Sequence, residues 1–135
     1  MKRPGNSLPD TNIIIRYLVA DEPTLHAKAK DFFDKVKNGG VKAVILESVI
    51  AECIYVLTKI YKVPRERAAG SLTDILHYKG IANGDRQELI RALSLFSEES
   101  GDIVDCILCA KAVANGDHLF TFDLDLSKLS QRITT

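Results

Sequence analysis

Apolar and polar positions along the chain alternate between a helical and an extended pattern. Asp10-Thr11-Asn12 lies between an extended lead-in, Ser7-Leu8-Pro9, and the apolar run Ile13-Ile14-Ile15, which Arg16 and Tyr17 break with helical spacing. From Pro23 to Asn38, Leu25, Ala29, Phe32, Phe33 and Val36 recur at three- and four-residue steps, the period of an amphipathic helix. Pro in the first turn and Asn38-Gly39-Gly40 at the end punctuate it. Val41 to Leu46 then reads as a short buried strand.

Ser48 suits the N-cap of a second helix, with Ile50, Cys53, Ile54, Leu57 and Ile60 mostly on one side and Glu52 one turn in. Val63-Pro64 ends it, and Pro64 opens another helix through Ala68, Leu72, Ile75 and Leu76. An extended piece at Gly80-Ile81-Ala82 precedes a helical pattern from Asp85 to Phe96, and Ser97 to Gly101 is loop-like. Asp102 caps the most strongly marked helix, which runs through Ile103, Ile107, Leu108, Ala110 and Val113 to Asn115-Gly116. His118 to Phe122 reads as a buried strand ending in Asp123-Leu124-Asp125, and the tail from Leu126 to Thr135 fits either a short helix or an edge strand. Short strands separated by helices predict an α/β fold: a three-layer α/β/α sandwich around a central, mainly parallel sheet of four to five strands. Pro9 cannot donate to a ladder, so the first of these strands is expected to be short or paired on one side.

At 135 residues the chain fits a single domain spanning 1–135. Lys plus Arg is 18 and Asp plus Glu is 18, so no global charge pulls the chain toward nucleic acid or anionic membrane, and any such contact is local. No apolar run approaches the roughly 20 residues of a membrane span, and the basic start Met1-Lys2-Arg3 lacks a signal-peptide core, which makes the cytoplasm the expected compartment. The three cysteines, Cys53, Cys106 and Cys109, fall in apolar segments and read as buried reduced thiols. Cys106-x-x-Cys109 is mid-helix and has no second pair, which argues against zinc or redox chemistry, and the three His are too scattered for a metal set.

The candidate chemistry lies in the carboxylates. Asp10 and Asp123 follow predicted strands, Glu52 and Asp105 lie on predicted helices, and Asp102 shares a helix face with Asp105. In an open α/β sheet ligands bind beyond the carboxyl ends of the strands, where strand-end acids collect. Each acid also has a plain structural explanation: Asp102 and Asp105 as helix caps, Asp10 and Asp123 as turn residues, Glu52 as part of a solvated stripe. If they do converge, clustered like charges oppose folding unless a proton or cation compensates them. Carboxylates without His or Cys favour a hard ion such as Mg²⁺ or Mn²⁺, which can activate water and shield a phosphodiester.

Four blocks in order, Asp10-Thr11-Asn12, Ser48-x-x-x-Glu52, Asp105-Cys106-Ile107-Leu108-Cys109-Ala110 and Thr121-Phe122-Asp123, resemble the acidic blocks of the PIN-domain ribonucleases, and most of all the VapC-type toxins. The resemblance runs from Pro9 to about Leu129. It implies a Mg²⁺- or Mn²⁺-dependent endoribonuclease, usually a homodimer and held inactive by a cognate antitoxin. By position, Asp10, Glu52, Asp105 and Asp123 would be the catalytic and metal-binding quartet, Asn12 and Thr121 would support the first and last acids, and Asp102 and Asp125 match looser acidic positions. The sequence departs from the family at Pro9 and at Cys106 and Cys109, where small residues are common.

Phosphate contacts are expected from Arg16, Lys59, Lys62, Arg65 and Arg67, near the acid-bearing helices in sequence, whereas Lys28, Lys30, Lys35 and Lys37 read as the solvated face of the Pro23 helix. Tyr17, Tyr55 and Tyr61 could stack on bases or simply pack. Two rival readings are a PIN-fold interaction module whose acids hold no metal, and a phosphatase of the haloacid dehalogenase type. The phosphatase requires Asp two residues after Asp10, where Asn12 stands.

Overall fold

A computed structural model describes residues 5–134. Seven α-helices account for its regular structure: α1 (Thr11–Leu18), α2 (Pro23–Asn38), α3 (Glu47–Tyr55), α4 (Arg65–Leu76), α5 (Arg86–Glu98), α6 (Ile103–Asn115) and α7 (Leu124–Thr134). A π-helical turn, Val56–Ile60, prolongs α3. The predicted α/β sandwich is therefore corrected: the described residues contain no strand and no sheet.

The extended segments do meet, but only at isolated parallel bridges, Ser7 with Ala43 and Ala43 with Ile81. Four backbone hydrogen bonds make this contact: Ser7 to Lys42, Val44 to Ser7, Ala43 to Gly80 and Ala82 to Ala43, at 2.8–2.9 Å. Local chemistry stops each ladder. Pro9 has no N–H to extend the first segment, and α1 begins at Thr11. On the other side Asn83 places its amide where a neighbouring strand would be, accepting from the Ile45 N–H at 2.9 Å and donating to the Ile45 carbonyl at 2.8 Å. Gly80 is required at this junction, because a Cβ there would lie 2.1 Å from the Val41 carbonyl oxygen.

The predicted strand at His118 to Phe122 is also absent. Its alternation survives, with Leu119 and Thr121 half-buried, but Phe120 and Phe122 are 78% and 91% exposed. The segment is a connection between the Gly116 cap of α6, at φ +68°, and Asp123, which opens α7.

The helix ends follow the chain's punctuation more closely. Glu22 accepts from the N–H groups of Thr24 and Leu25 ahead of Pro23, and Gly39, at φ +87°, closes α2. Asp102 accepts from the Asp105 N–H at 2.9 Å to cap α6. Helix α3 starts at Glu47 with Leu46 as an N-cap that offers no side-chain bond, so Ser48 lies within the first turn rather than before it. The tail is a helix.

Helix α5 packs between α4 and α6, α7 packs on α6, and α1 packs on α2 and α3. Helix α3 also meets α4 and α6, so the segments carrying Glu52 and Asp105 are in contact. Phe33, Ile50, Ile54, Leu72, Leu89 and Leu93 are among the fully buried residues at the centre. Among the described residues no helix is long and apolar enough to cross a membrane.

Candidate active site

Three of the predicted acids are fixed by the helix starts they cap. Asp10 accepts from the Ile13 N–H at 3.0 Å at the head of α1. Asp102 caps α6. Asp123 accepts from the Leu126 N–H at 3.1 Å at the head of α7, while its own N–H donates to Thr121 Oγ1 at 3.0 Å. An N-cap side chain bonded to its helix has little rotational freedom, so each carboxylate is held near a positive helix end. Asp105 sits in the first turn of α6, half-buried, and Glu52 is exposed on α3.

The acids fall into two groups. Asp10 and Glu52 both bear on the buried Cys53: burial and the Glu52 charge, with a smaller push from Asp10, drive that thiol up to about 12 against the opposing pull of Thr11. Asp105 lies with Asp102 and Asp123, and its carboxyl is held above the ordinary range by burial and then by those two like charges. Asp105, Asp123, Asp125 and Glu99 line one cavity of about 320 Å³, together with Lys128 and Arg132. Arg132 pairs with Glu99 at 2.9 Å. Asn12 is exposed on α1. Among the described residues, no three His, Cys, Asp or Glu side chains are close enough to form a metal ligand set.

The PIN domain family matches residues 7–131. The chain belongs to the PIN-domain family. It is 30% identical over 110 residues, 81% of its length and 80% of the relative's, to a VapC ribonuclease from Aquifex aeolicus (strain VF5). No solved structure matches it.

The donor chemistry of this PIN domain suits a hard cation. Its pocket offers carboxylate oxygens, and Mg²⁺ is ordinarily held by one or two carboxylates with water and substrate phosphate completing its shell. Asp105 and Asp123 already bear on one another. The cysteines are not competing ligands: all three are free and buried, with Cys106 pushed up to about 12 by burial and Cys109 raised for the same reason.

The predicted cations of the PIN domain separate by what already holds them. One Arg65 guanidinium nitrogen donates to the carbonyls of Phe96, Glu99 and Gly101 at 2.6–2.9 Å, and the group lies 3.6 Å over the Phe96 ring. Arg65 thereby clamps the loop that leads into Asp102. Arg16 is paired with Asp21 at 2.9 Å. Lys59, Lys62 and Arg67 are exposed and form no ion pair among the described residues.

One functional grouping escaped the sequence reading. Lys111 on α6 bridges Glu47 at 2.7 Å and Asp85 at 3.0 Å, and Asp85 also accepts from Asn83 at 2.9 Å. These bonds pin the start of α3 and the N-cap of α5 to α6, which sets Glu52 relative to Asp105. A lone Lys inside the apolar stretch Cys109-Ala110-Lys111-Ala112-Val113 was the available signal.

Proposed function

We propose that the chain is a Mg²⁺- or Mn²⁺-dependent endoribonuclease of the VapC type, a toxin acting on RNA in the cytoplasm as a homodimer and restrained by a cognate antitoxin. The observation that carries this reading is Asp105, a half-buried carboxylate in a cavity it shares with Asp123 and Asp125, raised by burial and then by the charges of Asp102 and Asp123. The similarity to a protein named VapC ribonuclease supports the substrate. Asp10, Glu52, Asp105 and Asp123 would hold the ion, with Asp125 at the cavity wall. When bound, the ion supplies charge neutralisation for a phosphodiester and a more acidic water. The protein's own part is to hold the acids in place. The caps made by Asp10 and Asp123 fix two carboxylates, and Thr121 fixes the backbone under Asp123; Asn12, exposed two residues after Asp10, would support it by the likeness to the family.

Asp10→Asn keeps an oxygen to accept from the Ile13 N–H, so the helix cap and the fold persist. The variant should lose Mg²⁺-dependent RNA cleavage and growth inhibition on expression; undiminished cleavage removes the proposal. One observation favours a second reading, a metal-free interaction module: no three ligands are gathered among the described residues. The two part on whether Mn²⁺ binding depends on Glu52 and Asp105.

A further inference from the structure

Three tyrosines lie near the acid-bearing helices, and their surroundings differ. Tyr17 stacks on Phe33 with centroids 4.5 Å apart and shares a 2.6 Å hydrogen bond with Tyr78, and Tyr61 donates to Asp21 at 3.1 Å. Tyr55 is 60% exposed and makes no hydrogen bond or ring contact among the described residues. It stands where α3 passes into the π-helical turn, and such turns occur frequently at functional sites. The turn is held by Thr58, whose hydroxyl donates to the Ile54 carbonyl at 2.7 Å, and it leaves through Lys62 at φ +58°, a left-handed conformation uncommon for a lysine.

Tyr55, Thr58 and Lys59 line a cavity of about 460 Å³ together with Arg65, Phe96 and Asp102. Ser100 lines both this cavity and the acidic one, and Asp102 is one of the charges that bear on Asp105. The two cavities therefore adjoin across the loop that Arg65 clamps. An exposed ring, an unpaired ammonium group and a shared border with a carboxylate centre are what a nucleotide beside a cleaved phosphodiester would need. A base can stack on the ring whatever its identity, and the phosphate can meet the lysine.

We propose that this cavity is a nucleobase subsite, in which Tyr55 stacks on the base next to the scissile phosphodiester and Lys59 contacts that nucleotide's phosphate. The proposal rests on the ribonuclease reading, and its test separates the two. The chain has no tryptophan, so Tyr55→Trp installs a single fluorescent reporter at the subsite. A short single-stranded oligoribonucleotide, added at low ionic strength in EDTA, should quench that emission saturably. Tyr55→Ala should bind the same oligonucleotide about 5- to 100-fold more weakly, and Tyr55→Phe should restore binding. With Mg²⁺, Tyr55→Ala should raise KM or change which bonds are cut. Quenching without RNA cleavage by the wild-type chain upholds the subsite and removes the ribonuclease reading. Cleavage with no quenching, and with KM and cut sites unchanged in Tyr55→Ala, overturns the subsite and leaves that reading intact. An emission shift that follows protein concentration and ignores RNA assigns the cavity to a contact between copies and overturns the proposal.

Discussion

Helix α6 carries acidic neighbourhoods of two kinds. At its first turn, Asp105 faces Asp102 and Asp123, and burial and both neighbours push its carboxyl in the same direction, up. Further along, Lys111 stands between Glu47 and Asp85. Burial pushes Asp85 up as well, but hydrogen bonds from Asn83 and Lys111 and the Lys111 charge outweigh it and hold that carboxyl below the ordinary range. Where carboxylates serve the fold, the chain supplies their counter-charge. The charges that bear on Asp105 are of its own sign, Lys128 and Arg132 of the same cavity leave its carboxyl raised, and a proton or a bound cation would relieve it.

Exchanging the charge at Asp105 should give the largest effect. Asp105→Asn is expected to cut RNA cleavage by roughly 100-fold or more, as loss of a metal-site group does, while making the metal-free protein more stable at neutral pH. The sign follows from the raised carboxyl: folded Asp105 keeps its proton at a pH where the unfolded chain has lost it. The cost of its charge is therefore absent below the unfolded value, near 3.8, and present in full above the folded value. Chemical denaturation should show the variant gaining on the wild type as pH rises from about 4 to 7. An unchanged difference across that range would break the contrast between the two neighbourhoods.

At the other end of α6 the effects should be smaller and opposite. Lys111→Met keeps the aliphatic stem but leaves Glu47 and Asp85 facing each other. With side chains roughly a third to a half exposed, solvent screening limits the loss to about 1 kcal/mol, a fall of about 3–5 °C in Tm. Asp85→Asn tests the same knot by pH. A depressed carboxyl stabilises above the unfolded value and loses that contribution as pH falls through the folded value. The variant should be weaker than wild type at pH 7 and no weaker at about pH 2. Stability curves for Asp85→Asn and Asp105→Asn that diverge in the same direction would contradict the account.

What the sequence disclosed follows from how local each feature is. The ends of α2 and α6 were readable because Pro23, Gly39, Asp102 and Gly116 act on their own backbone. The sheet was misread because β-branched and aromatic residues announce extended chain without announcing a partner. Val41 to Leu46 makes bridges through Ala43 and then meets the Asn83 side chain, and His118 to Phe122 pairs with nothing among the described residues. The acids were legible one by one, since each stands at a helix start or on a helix face; that Asp10 and Glu52 share one thiol while Asp105 and Asp123 share a cavity required the fold. Lys111 and Asp85 are 26 residues apart, and no spacing rule links them. Tyr17, Tyr55 and Tyr61 are chemically alike in the sequence and differ only in what covers them.

The most direct test of the central claim is calorimetric titration of the metal-free chain with Mn²⁺, run on the wild type, Asp105→Asn and Asp85→Asn. Saturable binding in the wild type and in Asp85→Asn, lost in Asp105→Asn, is the predicted result. Binding that is absent from the wild type, or that survives in Asp105→Asn and disappears in Asp85→Asn, would contradict it.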